Sequence, residues 1–251
     1  MINKKYIIAN WKMNPSSQEE ALRLVKGVLA QMLPKNIELI IAPPFVYIES
    51  VKKNLKKEIK LAAQNISWGE RGAYTGEISG LMLKNIGCEY VIIGHSERRY
   101  KIGETDEMIN LKIKAAFKSG LNPILAVGEK EQNDDITKVL NSQISNALAG
   151  VEAKDIGRII FAYEPVWAIG TGLSDNPDHA LSATLLIRKI IGIMYTPDFA
   201  HDAPVLYGGS VSSLNAADFI SQSGISGALV GGASLDIDEF IKIIKAAGKD
   251  V

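Results

Sequence analysis

The chain lacks most of what a disulfide-stapled, membrane-spanning or polyanion-binding protein is built from. Its 251 residues hold one cysteine, Cys88, so no intramolecular disulfide can form. A lone cysteine in a chain of this length reads as a small buried residue in a reducing compartment. No apolar run of about 18 residues occurs, so no membrane span is expected. The opening segment runs from Lys4 and Lys5 into an apolar stretch that ends at Ala9, too short for a secretory signal, and the expected location is cytoplasmic. Neither sign of charge dominates: 28 basic and 28 acidic side chains give a formal net charge of zero. Nucleic-acid binding, which neutralises many phosphates, is therefore not expected. Three histidines without clustered ligand spacing give no metal site. No linker or low-complexity segment interrupts the chain, and residues 1–251 are expected to form a single domain.

What is present is repetition. Short apolar runs at 6–9, 37–42, 59–63, 90–93, 123–127, 159–163, 204–207 and 227–230 alternate with stretches of helical periodicity. The runs are rich in Ile, Val and Leu and show no clean polar alternation, as in parallel strands covered on both faces. Among the helical stretches, 16–33 places Leu22, Val25, Leu29 and Met32 on one stripe, with Glu19 and Glu20 in its first turn. Thr105 reads as the N-cap of a helix through Phe117, with Gly120 as its stop. Pro177 opens a helix through Ile193, and residues 235–247 close the chain. Eight strand–helix units predict an α/β fold, a single (β/α)₈ TIM barrel of eight parallel strands with outer helices. An open doubly wound sheet would carry a Gly-x-Gly-x-x-Gly turn after its first strand, where this chain has Asn10-Trp11-Lys12.

In such barrels the active site lies at the carboxyl ends of the strands. Following each run outward gives Asn10 and Lys12, then Gln64 and Asn65, then His95, Ser96 and Glu97, then Glu129, then Glu164. The last two strands end in Gly208-Gly209-Ser210 and Gly231-Gly232. Each residue alone is weak, since a strand-end histidine is more often structural and glycines are common in turns. Together they supply a base, a polarising imidazole, a cation and phosphate-cradling turns, a set suited to proton transfer on an anionic substrate. His179, in a helix, and His201, in a polar loop, lie away from strand ends and read as bland.

After the sixth run the chain continues Ala162-Tyr163-Glu164-Pro165-Val166-Trp167-Ala168-Ile169-Gly170-Thr171-Gly172. A carboxylate leads into a loop with a stiff start and a glycine-containing end, which can close over a ligand. This run resembles the catalytic-glutamate and lid signature of the triosephosphate isomerase family. The resemblance extends to the Asn10–Asn14, Gly72–Glu77, Gly94–Arg99, Tyr207–Val211 and Leu229–Leu235 segments.

The resemblance implies an aldose–ketose isomerase of glycolysis and gluconeogenesis that interconverts dihydroxyacetone phosphate and D-glyceraldehyde 3-phosphate without cofactor or metal. It implies Glu164 as base, His95 as electrophile, Lys12 as fixed charge and Asn10 as a positioning residue, with Ser96 and Glu97 beside them. It implies backbone phosphate contacts at Gly170, Ser210, Gly231 and Gly232. The lid would span Pro165, Val166, Trp167, Ala168, Ile169 and Thr171, with Glu129 and Tyr207 touching it. A homodimer is implied, with Thr75 at the tip of a loop that enters the partner. Departures from the family pattern fall at Ala126, at 130–135 and at 174–176. Two other readings stand beside this one: a barrel enzyme for another phosphorylated ligand, and a non-catalytic scaffold. The scaffold reading expects losses among Asn10, Lys12, His95 and Glu164, and all four are present.

Overall fold

Strands β1 (Lys5–Asn10), β2 (Ile37–Ala42), β3 (Lys60–Ala63), β4 (Tyr90–Ile93), β5 (Asn122–Val127), β6 (Ile160–Tyr163), β7 (Val205–Tyr207) and β8 (Gly227–Val230) pair in sequence order into a closed parallel barrel. The architecture comes from a computed structural model, which describes residues 4–170 and 175–248. Closure is made by β1 against β8, where Tyr6 pairs with Gly227 and Ala9 with Val230. Gly227 is obligatory at this seam, because a Cβ there would fall 1.9 Å from the Tyr6 carbonyl oxygen.

The strands alternate between two apolar layers, which explains their unbroken hydrophobic runs. Ile8, Ile40, Ala62, Ile92, Ile124, Ala126, Ile160, Ala162, Leu206 and Leu229 fill the barrel interior. Their neighbours, among them Ile7, Ile41, Leu61, Val91, Leu125, Phe161 and Val205, pack outward under the helices. Both faces are dry, so period-two polarity has no reason to appear.

The helical layer is α1 (Gln18–Leu29), α2 (Ile48–Asn54), α3 (Gly80–Ile86), α4 (Asp106–Lys118), α5 (Ile136–Ala147), α6 (Ala153–Ile156), α7 (Pro177–Met194), α8 (Pro197–Asp202), α9 (Ala216–Ile220) and α10 (Ile237–Ala247). Ser17, Thr105 and Asp236 cap α1, α4 and α10 by accepting from backbone N–H groups of the first turn. Gly120, at φ 74°, ends the α4 region as expected.

Three boundary expectations are corrected. The first helix stops at Leu29 rather than 33, ahead of Pro34, and Met32 is 95% exposed instead of lying on the buried stripe. The chain from 232 to 235 is a separate 3₁₀ turn, and the last helix starts after the Asp236 cap. His201 lies in the short helix α8, not in a loop. Cys88 is buried, and burial pushes its thiol up to about 12, so it stays a thiol. No helix among the described residues is long and apolar enough to cross a membrane.

Candidate active site

The inward face of the barrel continues past the interior layer into the mouth. Two residues beyond Ile8 comes Asn10, beyond Ala62 comes Gln64, and beyond Ala162 comes Glu164. At the matching inward positions, β4, β5, β7 and β8 are followed by Gly94, Gly128, Gly208 and Gly231. Strand pleating thus delivers three polar side chains to one end, and the absent side chains leave space between them. The space is a cavity of about 220 Å³ lined by Asn10, Lys12, His95, Glu164, Ile169, Gly170, Gly208–Val211, Leu229 and Gly231–Ala233. It lies below the ~300–1,000 Å³ typical of drug-sized pockets, and suits a small metabolite.

Glu164 is 2% exposed at the rim of β6. Its Oε2 accepts from the Ser96 backbone N–H at 2.9 Å. Its Oε1 lies 3.3 Å from His95 Nε2, without the alignment of a hydrogen bond, and has no hydrogen-bond partner among the described residues. A buried carboxylate oxygen without a donor is costly unless something else uses it. The stem fits because residues 128 and 208 are glycine: a Cβ at 128 would fall 1.9 Å from the Glu164 carbonyl oxygen, and one at 208 would fall 3.0 Å from Glu164 Cγ.

His95 is buried, and its Nδ1 accepts from the Glu97 backbone N–H at 3.2 Å. A backbone N–H can only donate, so Nδ1 carries a lone pair and the ring proton sits on Nε2. Glu97 Oε2 also lies 3.7 Å from Nδ1, but the shorter N–H contact decides the ring's form. The His95 carbonyl accepts from Arg98 and Arg99 N–H at 2.8 and 3.1 Å, which fixes the turn that carries the ring.

Lys12 is held in an unusual backbone state, φ 54°. Left-handed geometry in a non-glycine residue costs about 1–3 kcal/mol and persists only where its surroundings impose it. Here Lys12 N–H donates to Asn10 Oδ1 at 3.0 Å, and Gln64 Nε2 donates to the Lys12 carbonyl at 2.8 Å. The side chain reaches the cavity with Nζ 2.9 Å from Glu97 Oε1. Burial works against ionisation of Glu97, but the Lys12 hydrogen bond and charge outweigh it and hold the carboxyl below its ordinary range.

Beyond Glu164 the chain forms a 3₁₀ turn over Val166–Ala168. Trp167 Nε1 donates to Glu129 Oε1 at 2.8 Å, and the same oxygen accepts from Tyr163 Oη at 2.9 Å. Burial, and then the Glu129 charge, push the Tyr163 hydroxyl pKa upward, so it remains a donor. Tyr207 Oη accepts from the Asp175 N–H at 3.2 Å where the described chain resumes. Thr171, expected in the lid, lies outside the described residues. Gly170, Ser210, Gly231 and Gly232 all line the cavity, and a Cβ at Gly170 or Gly232 would meet only open space.

Of the strand-end residues, Asn65 does not join the cavity. It accepts from Lys112 Nζ at 2.7 Å, beside buried Glu104, which also pairs with half-buried Arg98. Gln64 supports Lys12 rather than lining the pocket. Thr75 sits in an exposed loop after β3, with Glu77 N–H closing a turn onto the Tyr74 carbonyl at 3.0 Å. Sequence reasoning missed Gly128 and Gln143. The Gln143 amide donates to the Gly128 carbonyl at 3.0 Å and accepts from its N–H at 2.9 Å, pinning the strand end on which the Glu164 backbone rests. Only the steric contact across strands reveals them.

A mouth of this kind places the protein among the (β/α)₈ enzymes that act on small anions by acid–base chemistry. The triosephosphate isomerase family model matches residues 5–247. A curated triosephosphate isomerase of Dictyoglomus thermophilum is 46% identical, covering 98% of this chain and all of that one. One from Dehalococcoides mccartyi is 47% identical over 96% of this chain and 95% of its own length, and one from Alkaliphilus oremlandii is 43% identical over 97% and 99%. The chain belongs to the triosephosphate isomerase family.

Proposed function

We propose that the barrel mouth interconverts dihydroxyacetone phosphate and D-glyceraldehyde 3-phosphate, with Glu164 as the base. The observation that carries the assignment is the buried Oε1 of Glu164, which has no hydrogen-bond partner among the described residues and lies 3.3 Å from the proton-bearing nitrogen of His95, on side chains that both line the cavity. Glu164 removes a proton from the hydroxyl-bearing carbon and the neighbouring carbonyl oxygen takes up the charge as an enediolate; the hydroxyl proton then passes to that oxygen, and the carboxylic acid returns the carbon proton to the former carbonyl carbon. His95 Nε2–H donates to the developing oxyanion and is placed to relay the hydroxyl proton between the two oxygens. In the neutral ring the Glu97 N–H contact at Nδ1 leaves the proton on Nε2 for this task.

Lys12 supplies positive charge and Asn10 holds both its backbone and the substrate. Backbone N–H groups at Gly170, Ser210, Gly231 and Gly232 cradle the phosphate, where missing side chains permit close approach. The loop from Pro165 to Thr171 covers the site, excludes water and suppresses loss of phosphate from the enediolate. No cofactor or metal is needed for this proton shuttle.

The active form is a homodimer. The segments that follow the adjacent strands β1 to β4 leave apolar side chains exposed: Met13, Val46, Tyr74, Met82 at the start of α3, and Ile102. Apolar surface gathered on one end of a barrel is the ordinary mark of a partner. One domain working in a reducing cytoplasm accords with a buried, protonated Cys88.

The test is conversion of glyceraldehyde 3-phosphate by the purified chain, with Glu164→Gln beside it. Loss of about 10²–10⁴-fold in the variant is expected. A folded wild-type chain without conversion would move the assignment to another phosphorylated ligand.

A further inference from the structure

Asp175, where the described chain resumes after the loop, carries a carboxylate whose side chain is 3% exposed. A carboxylate buried so deeply has to be met by donors or a cation. Both of its oxygens lie 2.9 Å from His179 Nδ1, one turn along α7. Because a carboxylate accepts, Nδ1 carries the proton. Among the described residues the other donor is the Asn176 N–H, at 2.7 Å from Oδ1.

The same residue is fixed through its backbone. Asp175 N–H donates to Tyr207 Oη at 3.2 Å. Tyr207 is itself immobilised: its ring stacks on Phe219 with centroids 3.9 Å apart, and a Cβ on Gly209 would fall 2.3 Å from Oη.

His179 also presents an edge-to-face contact to Tyr163, with ring centroids 6.3 Å apart and planes at 69°. Tyr163 donates to Glu129 Oε1, the oxygen that receives Trp167. One imidazole therefore touches the groups that hold both ends of the 164–175 connection. His179 does not line the cavity, so it acts through these neighbours.

We infer that His179 is a positioning residue for the lid: it clamps Asp175 onto Tyr207 at the far end and is tied through Tyr163 to Trp167 at the near end. The inference rests on the isomerase reading only for what the loop covers. Without the imidazole, the Asp175 carboxylate stays buried and keeps one N–H donor among the described residues. Relief lies in moving toward water, which draws the Asp175 backbone off Tyr207.

The full chain is labelled with 5-fluorotryptophan, and the Trp167 resonance is assigned with Trp167→Phe, which separates it from Trp11 and Trp68. His179→Leu is expected to shift or broaden the Trp167 resonance and leave the other two in place. It should lower kcat for glyceraldehyde 3-phosphate by about ten- to a hundredfold, the scale of a misplacement near 1 Å. His179→Asn, which keeps a donor near the Nδ1 position, should retain most of both properties. Asp175→Ala added to His179→Leu removes the stranded carboxylate and should recover activity and resonance together. A His179→Leu enzyme with wild-type kcat and an unmoved Trp167 signal overturns the inference. So does a double variant no better than His179→Leu. A wild-type chain that fails to isomerise would sink the functional reading alone, since the fluorine comparison still decides the anchor.

Discussion

The Glu97 backbone N–H donates to His95 Nδ1 at 3.2 Å, and this one contact selects the tautomer of the imidazole. With Nδ1 accepting, the proton of the neutral ring sits on Nε2, the nitrogen 3.3 Å from Glu164 Oε1. Nitrogen-15 NMR of the neutral ring should show Nε2 as the protonated nitrogen. Replacing the donor, as in His95→Ala, should lower kcat by about 10²–10³-fold, the usual loss for one oxyanion donor. A neutral ring carrying its proton on Nδ1 would contradict the assignment.

Lys12 and Glu97 depend on one another. Removing the ammonium, as in Lys12→Met, leaves burial as the leading influence on Glu97, so its carboxyl should titrate at a higher pH than in the wild type. Carbon-13 NMR of the side-chain carboxyl reads the change. The sign for stability follows from the depressed value. The pair contributes above the ordinary glutamate range near pH ~4.3, and the contribution is lost as pH falls through the lower folded value. Glu97 is about one-third exposed, so solvent screening keeps the stability term small. Substrate binding and rate should weaken together in Lys12→Met, and unchanged kinetics would return Lys12 to an ordinary surface role.

Gly128→Ala puts a methyl group 1.9 Å from the Glu164 carbonyl oxygen, and backbone cannot yield as a flexible side chain can. The strand end has to move, and Glu164 moves with it. Thermal unfolding should reveal a loss of about 1–3 kcal/mol or more, as for other overpacked sites, and kcat should fall. An equally stable and active variant would show that β5 and β6 separate freely at their ends.

Thr75→Arg adds a long charged side chain to the exposed loop after β3. If that loop enters a partner, sedimentation should show a monomer, with much lower activity than the wild type. A fully active dimer would place the interface elsewhere.

Much of the barrel was legible in the chain because its strands are buried on both faces. Runs such as 37–42, 90–93 and 227–230 coincide with β2, β4 and β8 residue for residue, since their ends are set by abrupt changes to polar residues, proline or glycine. Helix ends were less legible. Residues 30–33 continue the apolar spacing of α1, yet the helix stops at Leu29 ahead of Pro34, and Met32 lies in water.

The sequence by itself determined which chemical groups arrive at the mouth. Parity along a strand is a local property, so Asn10 after Ile8 and Glu164 after Ala162 point inward once each run is a strand. What only the tertiary structure decided is how those groups meet. The proton on His95, the cramped backbone of Lys12, the need for Gly128 and the clamp of His179 on Asp175 all depend on contacts between segments or on backbone angles that residue type leaves open. His179 looked bland in the sequence because its significance lies in a carboxylate that folding buries beside it, and burial is a property of the whole barrel.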